Sequence, residues 1–162
     1  MNTQYSPPRL TRNGQRGFSL IELMVVVVLV AILLTIGVPS FSNFIVGQRV
    51  KTAAFDLAST LLLARSEAIK RNADVTVAPK VAADGWVGGW TVTVGTTTLS
   101  EQAAYGGIAI TNPSIPANVV YQGASGRPTA GKTQFTLSGG QSSRCVTVDL
   151  SGMTSTKTGA CP

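Results

Sequence analysis

The sequence predicts an α+β fold, with one long N-terminal α-helix packed against a C-terminal antiparallel β-sheet domain. Three observations predict it. Residues 23–38 are apolar apart from one Thr and one Gly. Apolar residues then recur at three- and four-residue steps as far as Arg71, which is the period of one helix face. Beyond Arg71 the period falls to two, in β-branched runs bounded by Gly, Pro, Asn and Ser. The 162 residues suit one modest domain. With 44% hydrophobic and only 12% charged residues, the chain has enough apolar surface to fold.

Composition also narrows the chemistry. There is no His, which removes the commonest general base and metal ligand. Two Cys cannot hold a structural zinc alone, and the seven acids are scattered. Neither an enzyme nor a metal or cofactor site is expected.

The first element is a membrane segment. Residues 17–48 carry a single charge, Glu22, and Arg9, Arg12 and Arg16 precede them without an acid. The 21 residues of 18–38 suffice to cross a hydrocarbon layer of about 30 Å at about 1.5 Å per residue. The leading arginines predict a cytoplasmic N-terminus and an exported remainder. An ordinary secretory signal has a shorter apolar core and a cleavage site after it. Gly37 could imitate that site, but Pro39 disfavours cutting there. Glu22 is the informative residue, because an ionised carboxylate inside a bilayer costs about 2.5–3.5 kcal/mol on insertion scales. A cut between Gly17 and Phe18 would make Glu22 the fifth residue and place a new amine one helical turn away.

The helix then continues. Phe41, Phe44, Ile45, Val50, Ala54, Leu57, Leu61, Ala64 and Ala68 are expected on its buried face. Gly37 and Pro39 should kink or open it just outside the bilayer. Residues 72–162 form the β-rich head. Strands are expected at 75–78, 90–94, 108–110, 118–121, 133–137 and 145–150, covering the face of Ala54, Leu57 and Leu61.

The remaining motifs read as structural. Trp90 is expected in the core rather than on a stacking platform for bases or sugars, while Trp86 sits in a Gly-bearing turn and is open to either reading. The glycine-rich stretch 123–132 has no helix pattern after it and is a turn-rich loop rather than a phosphate cradle. Cys145 and Cys161 are expected to form a disulfide in an exported domain. The bridge would pin 151–160, a polar tail that is otherwise floppy, and closing such a loop stabilises by about 3 kcal/mol.

Two stretches carry a family resemblance. Arg16-Gly17-Phe18-Ser19-Leu20-Ile21-Glu22-Leu23 resembles the class III signal of type IV pilins and type II secretion pseudopilins. Leu63-Ala64-Arg65-Ser66-Glu67-Ala68-Ile69-Lys70-Arg71-Asn72, with Gly88-Gly89-Trp90 after it, resembles the GspH/FimT group of minor pilins and pseudopilins. The resemblance implies that 1–17 is a leader, that prepilin peptidase cuts between Gly17 and Phe18 and that Phe18 is N-methylated. It further implies that Glu22 guides assembly by pairing with the Phe18 amine of a neighbour. Its partners would be other pilin or pseudopilin subunits, prepilin peptidase and the inner membrane. Arg65 and Glu67 are too close in sequence to face each other on a helix, so each is expected to tie the helix to the head. A minor type IV pilin that helps to start the pilus is the leading expectation. The alternative is an H-type minor pseudopilin. A FimT-like DNA receptor is disfavoured, because Gly152-Met153-Thr154-Ser155 stands where such receptors carry arginines.

Overall fold

The structure, a computed structural model, describes residues 17–111 and 117–162, excluding the side chains of 36–40. The chain falls into two compact units, Met1–Val38 and Pro39–Pro162. The helix α1, Leu20–Arg71, contributes to both. Its second part therefore belongs with the strands that follow.

In the first unit every described residue of α1 is exposed, the large apolar ones from 47% at Val30 to 78% at Leu20. Among the described residues, no helix is long and apolar enough to cross a membrane. The reading of 18–38 as a span therefore rests on the sequence.

In the second unit, two four-stranded antiparallel sheets pack with the helix. The strands are β1 Val75–Pro79, β2 Trp90–Val94, β3 Thr97–Gln102, β4 Ala109–Thr111, β5 Val119–Tyr121, β6 Thr133–Gly139, β7 Ser142–Val148 and β8 Thr154–Thr158. One sheet has the order β3-β2-β1-β5 and the other β4-β6-β7-β8. A short 3-10 segment, Ala82–Gly88, links β1 to β2. Alternation decides which side chains enter the core: Val75 and Val77, Trp90 and Val92, Phe135 and Leu137, and Val146 and Val148 are all buried. Against them α1 presents Val50, Ala53, Ala54, Leu57, Leu61, Ala64 and Ala68, all fully buried. The alanines keep this face narrow.

The helix stops at Asn72, whose φ of 48° is left-handed. Asn is the commonest substitute for Gly at such a helix end. The Ala73 N–H then closes on the Ala68 carbonyl at 3.3 Å.

Four expectations are corrected or extended. The head has eight described strands rather than six, because β3 and β8 lie at sheet edges and carry polar residues. A half-solvated edge strand leaves no apolar alternation to read. The tail 151–160 is held by more than the bridge, since β8 pairs with β7 from Arg144↔Thr158 to Val148↔Thr154. Strand β7 ends at Val148, where Asp149 begins a turn. Phe41 and Phe44 are exposed instead of buried, the core face of α1 starting only at Val50.

Candidate functional site

The processing motif lies at the start of α1. Gly17, Phe18 and Ser19 precede the helix and are exposed. Ser19 is its N-cap, accepting the Glu22 N–H on its Oγ at 3.2 Å and the Leu23 N–H on its carbonyl at 3.2 Å. Phe18 is 80% exposed, and Glu22 is exposed one turn into the helix. Arg9, Arg12 and Arg16 lie outside the described residues, as does the side chain of Pro39, while the backbone of α1 is helical through Gly37 and Pro39.

The second constellation joins the helix to the head. Arg65 donates from Nε to the Gly126 carbonyl at 3.1 Å and from Nη1 to Met153 Sδ at 3.0 Å. It thus touches both the loop after β5 and the turn between β7 and β8. Gly152, at φ +85°, lets the turn lie on it: a side chain there would strike the Gly126 carbonyl and the Arg65 guanidinium. Asp149 shapes the turn by accepting from the Ser151 N–H, the Ser151 hydroxyl and the Met153 N–H. The Ser151 bond and then the backbone N–H bonds hold its carboxyl below the usual range.

Among the described residues, the partners of Glu67 are on its own helix and not in the head. It pairs with Arg71 at 2.6 Å and Lys70 at 3.6 Å, both on its own helix. The Arg71 hydrogen bond is the main reason its carboxyl is held low. Spacing explains the difference, since i,i+3 and i,i+4 partners were within reach.

Helix contacts that the sequence reading missed lie on Asp56 and Thr60. The Tyr105 hydroxyl donates to Asp56 at 2.5 Å, and the Trp90 indole N–H donates to Thr60 at 3.2 Å. Trp90 and Tyr105 stack with centroids 5.8 Å apart. Burial and the Asp56 carboxylate push the Tyr105 hydroxyl up. The available signal was two polar residues one turn apart beside an apolar stripe. Trp86 is buried as well, edge-on to Phe135 at 4.9 Å.

Cys145 and Cys161 form a disulfide with their Cα atoms 4.9 Å apart. The Cys161 N–H also bonds to Thr136 Oγ1 at 3.0 Å, fastening the chain end across β6. Arg144 and Lys157, cations of β7 and β8, are not on one surface. Arg144 lies over the Phe55 ring of α1 at 6.0 Å, whereas Lys157 stands opposite Cys145 on the other face of the strand pair. Arg127, in the glycine-rich loop, donates to the Leu150 carbonyl at 3.1 Å.

An N-terminal helix headed by this motif and a two-sheet head define a minor pilin or pseudopilin. The model of the family described as type II transport protein GspH matches residues 53–152, and the chain belongs to that family. The prokaryotic N-terminal methylation motif matches residues 12–38. Among solved structures, the chain is similar to the type IV minor pilin FimU of Pseudomonas aeruginosa. One crystal form gives a TM-score of 0.61 at 17% identity, covering 71% of this chain and 96% of that one. A second gives 0.59 at 18%, covering 69% and 99%. The minor pseudopilin EpsH from the type 2 secretion system of Vibrio cholerae gives 0.46 at 19%, covering 69% and 97%.

Proposed function

We propose that this chain is a minor type IV pilin, a structural subunit rather than an enzyme, which helps to start pilus assembly and sits near the tip. The observation that carries the reading is Glu22, an acid one turn into a helix whose apolar residues find no cover within the described chain.

Prepilin peptidase removes 1–17 at the Gly17–Phe18 bond and methylates the Phe18 amine. Residues 18–38 hold the subunit in the inner membrane, with the head in the periplasm. There the Glu22 charge is costly unless paired. A neighbouring subunit's Phe18 amine pairs with it and sets axial register. Packing of the apolar helix against other subunits then supplies most of the cohesion, because every exposed Leu, Ile and Val there gains by leaving water or lipid for a close-packed interior.

The likeness of the head to FimU supports the pilus reading. The GspH family match favours a second reading, the H-type minor pseudopilin of type II secretion. A DNA receptor is disfavoured, because Gly152-Met153-Thr154-Ser155 stands where such receptors carry arginines.

Intact mass from cells with and without prepilin peptidase tests the class. A product beginning at Phe18 and heavier by one methyl group is expected, and an uncut chain would remove the reading. Mass spectrometry of sheared pili then separates the pilus from the pseudopilus.

A further inference from the structure

Met153 has surroundings unlike those of an ordinary methionine. Its side chain is 51% exposed, yet its sulfur lies 3.0 Å from Arg65 Nη1. Its backbone is fixed by the Met153 N–H bond to Asp149 at 2.9 Å. The absent side chain of Gly152 allows the guanidinium to reach it. A thioether is only a weak acceptor, so this contact wastes much of what a guanidinium can offer.

We propose that Met153 is an oxidation site whose sulfoxide is held by Arg65. The co-reactant is a peroxide. The sulfur lone pair attacks one peroxide oxygen, the O–O bond breaks, an S–O bond forms and water leaves. Sulfur loses two electrons and the peroxide gains them. Oxidation of a methionine usually disrupts packing by making an apolar group polar. Here the new oxygen emerges beside a cation and solvent, and it accepts a charge-assisted hydrogen bond. The product therefore tightens the contact between α1 and the turn from β7 to β8. The chemistry needs only an accessible head and is independent of which filament the chain joins.

The other methionines make the site easy to isolate. Met1 belongs to the leader and Met24 to the apolar segment. The processed chain in detergent micelles is titrated with hydrogen peroxide, and peptide mapping follows the added oxygen. Trp86 and Trp90 fluorescence reports unfolding of the head in urea. Met153 is expected to oxidise before Met24, and the oxidised protein keeps or raises its unfolding midpoint. In Arg65→Leu the same oxidation lowers the midpoint. If that variant does not fold, Met153→Gln supplies an uncharged acceptor in the native background. It is expected to be at least as stable as Met, with Met153→Leu below both. The proposal is overturned if folded Met153 resists peroxide, if oxidation lowers the midpoint equally with and without Arg65, or if Met153→Gln falls to the level of Met153→Leu.

Discussion

The two parts of α1 each carry many apolar residues, and these meet opposite fates. In the first, Leu29 is 55% exposed and Ile32 54%, and no described part of the chain covers them. In the second, Leu57 and Leu61 are fully buried against Val92, Phe135 and their neighbours. Apolar surface stabilises only when something removes it from water. The head supplies that cover for its own stretch of helix, whereas the first stretch needs lipid or another subunit. One part thus contributes to folding and the other to association.

Substitutions at matched leucines test that contrast most strongly. Leu61→Ala is expected to destabilise the head by about 2–5 kcal/mol, the usual cost of a core cavity. Leu29→Ala should leave the midpoint of the head unchanged and reduce incorporation into filaments. An equal loss of head stability for both would break the comparison.

The disulfide comes next. Cys145→Ser with Cys161→Ser should lower stability by about 3 kcal/mol. Hydrogen exchange should show the loss first in β8, the edge strand that the bridge holds. Protection of β8 unchanged in the double variant would mean that pairing with β7 suffices.

Arg65→Ala should cost about 1.5–3 kcal/mol, because it removes a charged donor from two loops at once. Urea unfolding followed by tryptophan fluorescence measures it.

Alkali provides a gentler probe of the same corner. Tyr121 is buried and its hydroxyl has no aligned partner among the described residues. Burial pushes the group up to about 12, with the Thr154 hydroxyl and the Arg65 charge acting against the shift. Its neutral form therefore favours the fold fully below pH 10, the ordinary value, and the contribution is lost as pH rises to about 12. Tyr121→Phe should flatten that alkaline loss in a pH series of unfolding midpoints.

The smallest effect is expected at Glu67, which among the described residues is tied to its own helix. Its lowered carboxyl contributes above 4.5, the ordinary value, and the contribution fades as pH falls below it. Glu67→Gln should remove a slight acid-side slope and leave the midpoint at neutral pH nearly unchanged.

The fates of Arg65 and Glu67 also show how far the candidate sites could be read from sequence. Both stand in one recognisable motif, and spacing correctly excluded a bond between them. Spacing could not say which loops approach Arg65, since Gly126 and Met153 are 61 and 88 residues away. For Glu67, local charge was the better guide, as Lys70 and Arg71 were already at helix spacing. Edge strands β3 and β8 were hidden for a related reason. Their residues face solvent on at least one side, so pairing with β2 and β7 rather than side-chain pattern makes them strands.

Local periodicity and composition were enough to specify the helix, the switch to β structure after Arg71, the half-cystine pair and the processing motif, because each depends on residues close in the chain or on residue type. Tertiary structure alone assigned the eight strands to two sheets, set Phe41 and Phe44 outside the core, placed Asp56 under Tyr105 and brought Met153 to Arg65. Those outcomes depend on which distant surfaces meet, and a contact across dozens of residues leaves no periodic mark on the sequence that makes it.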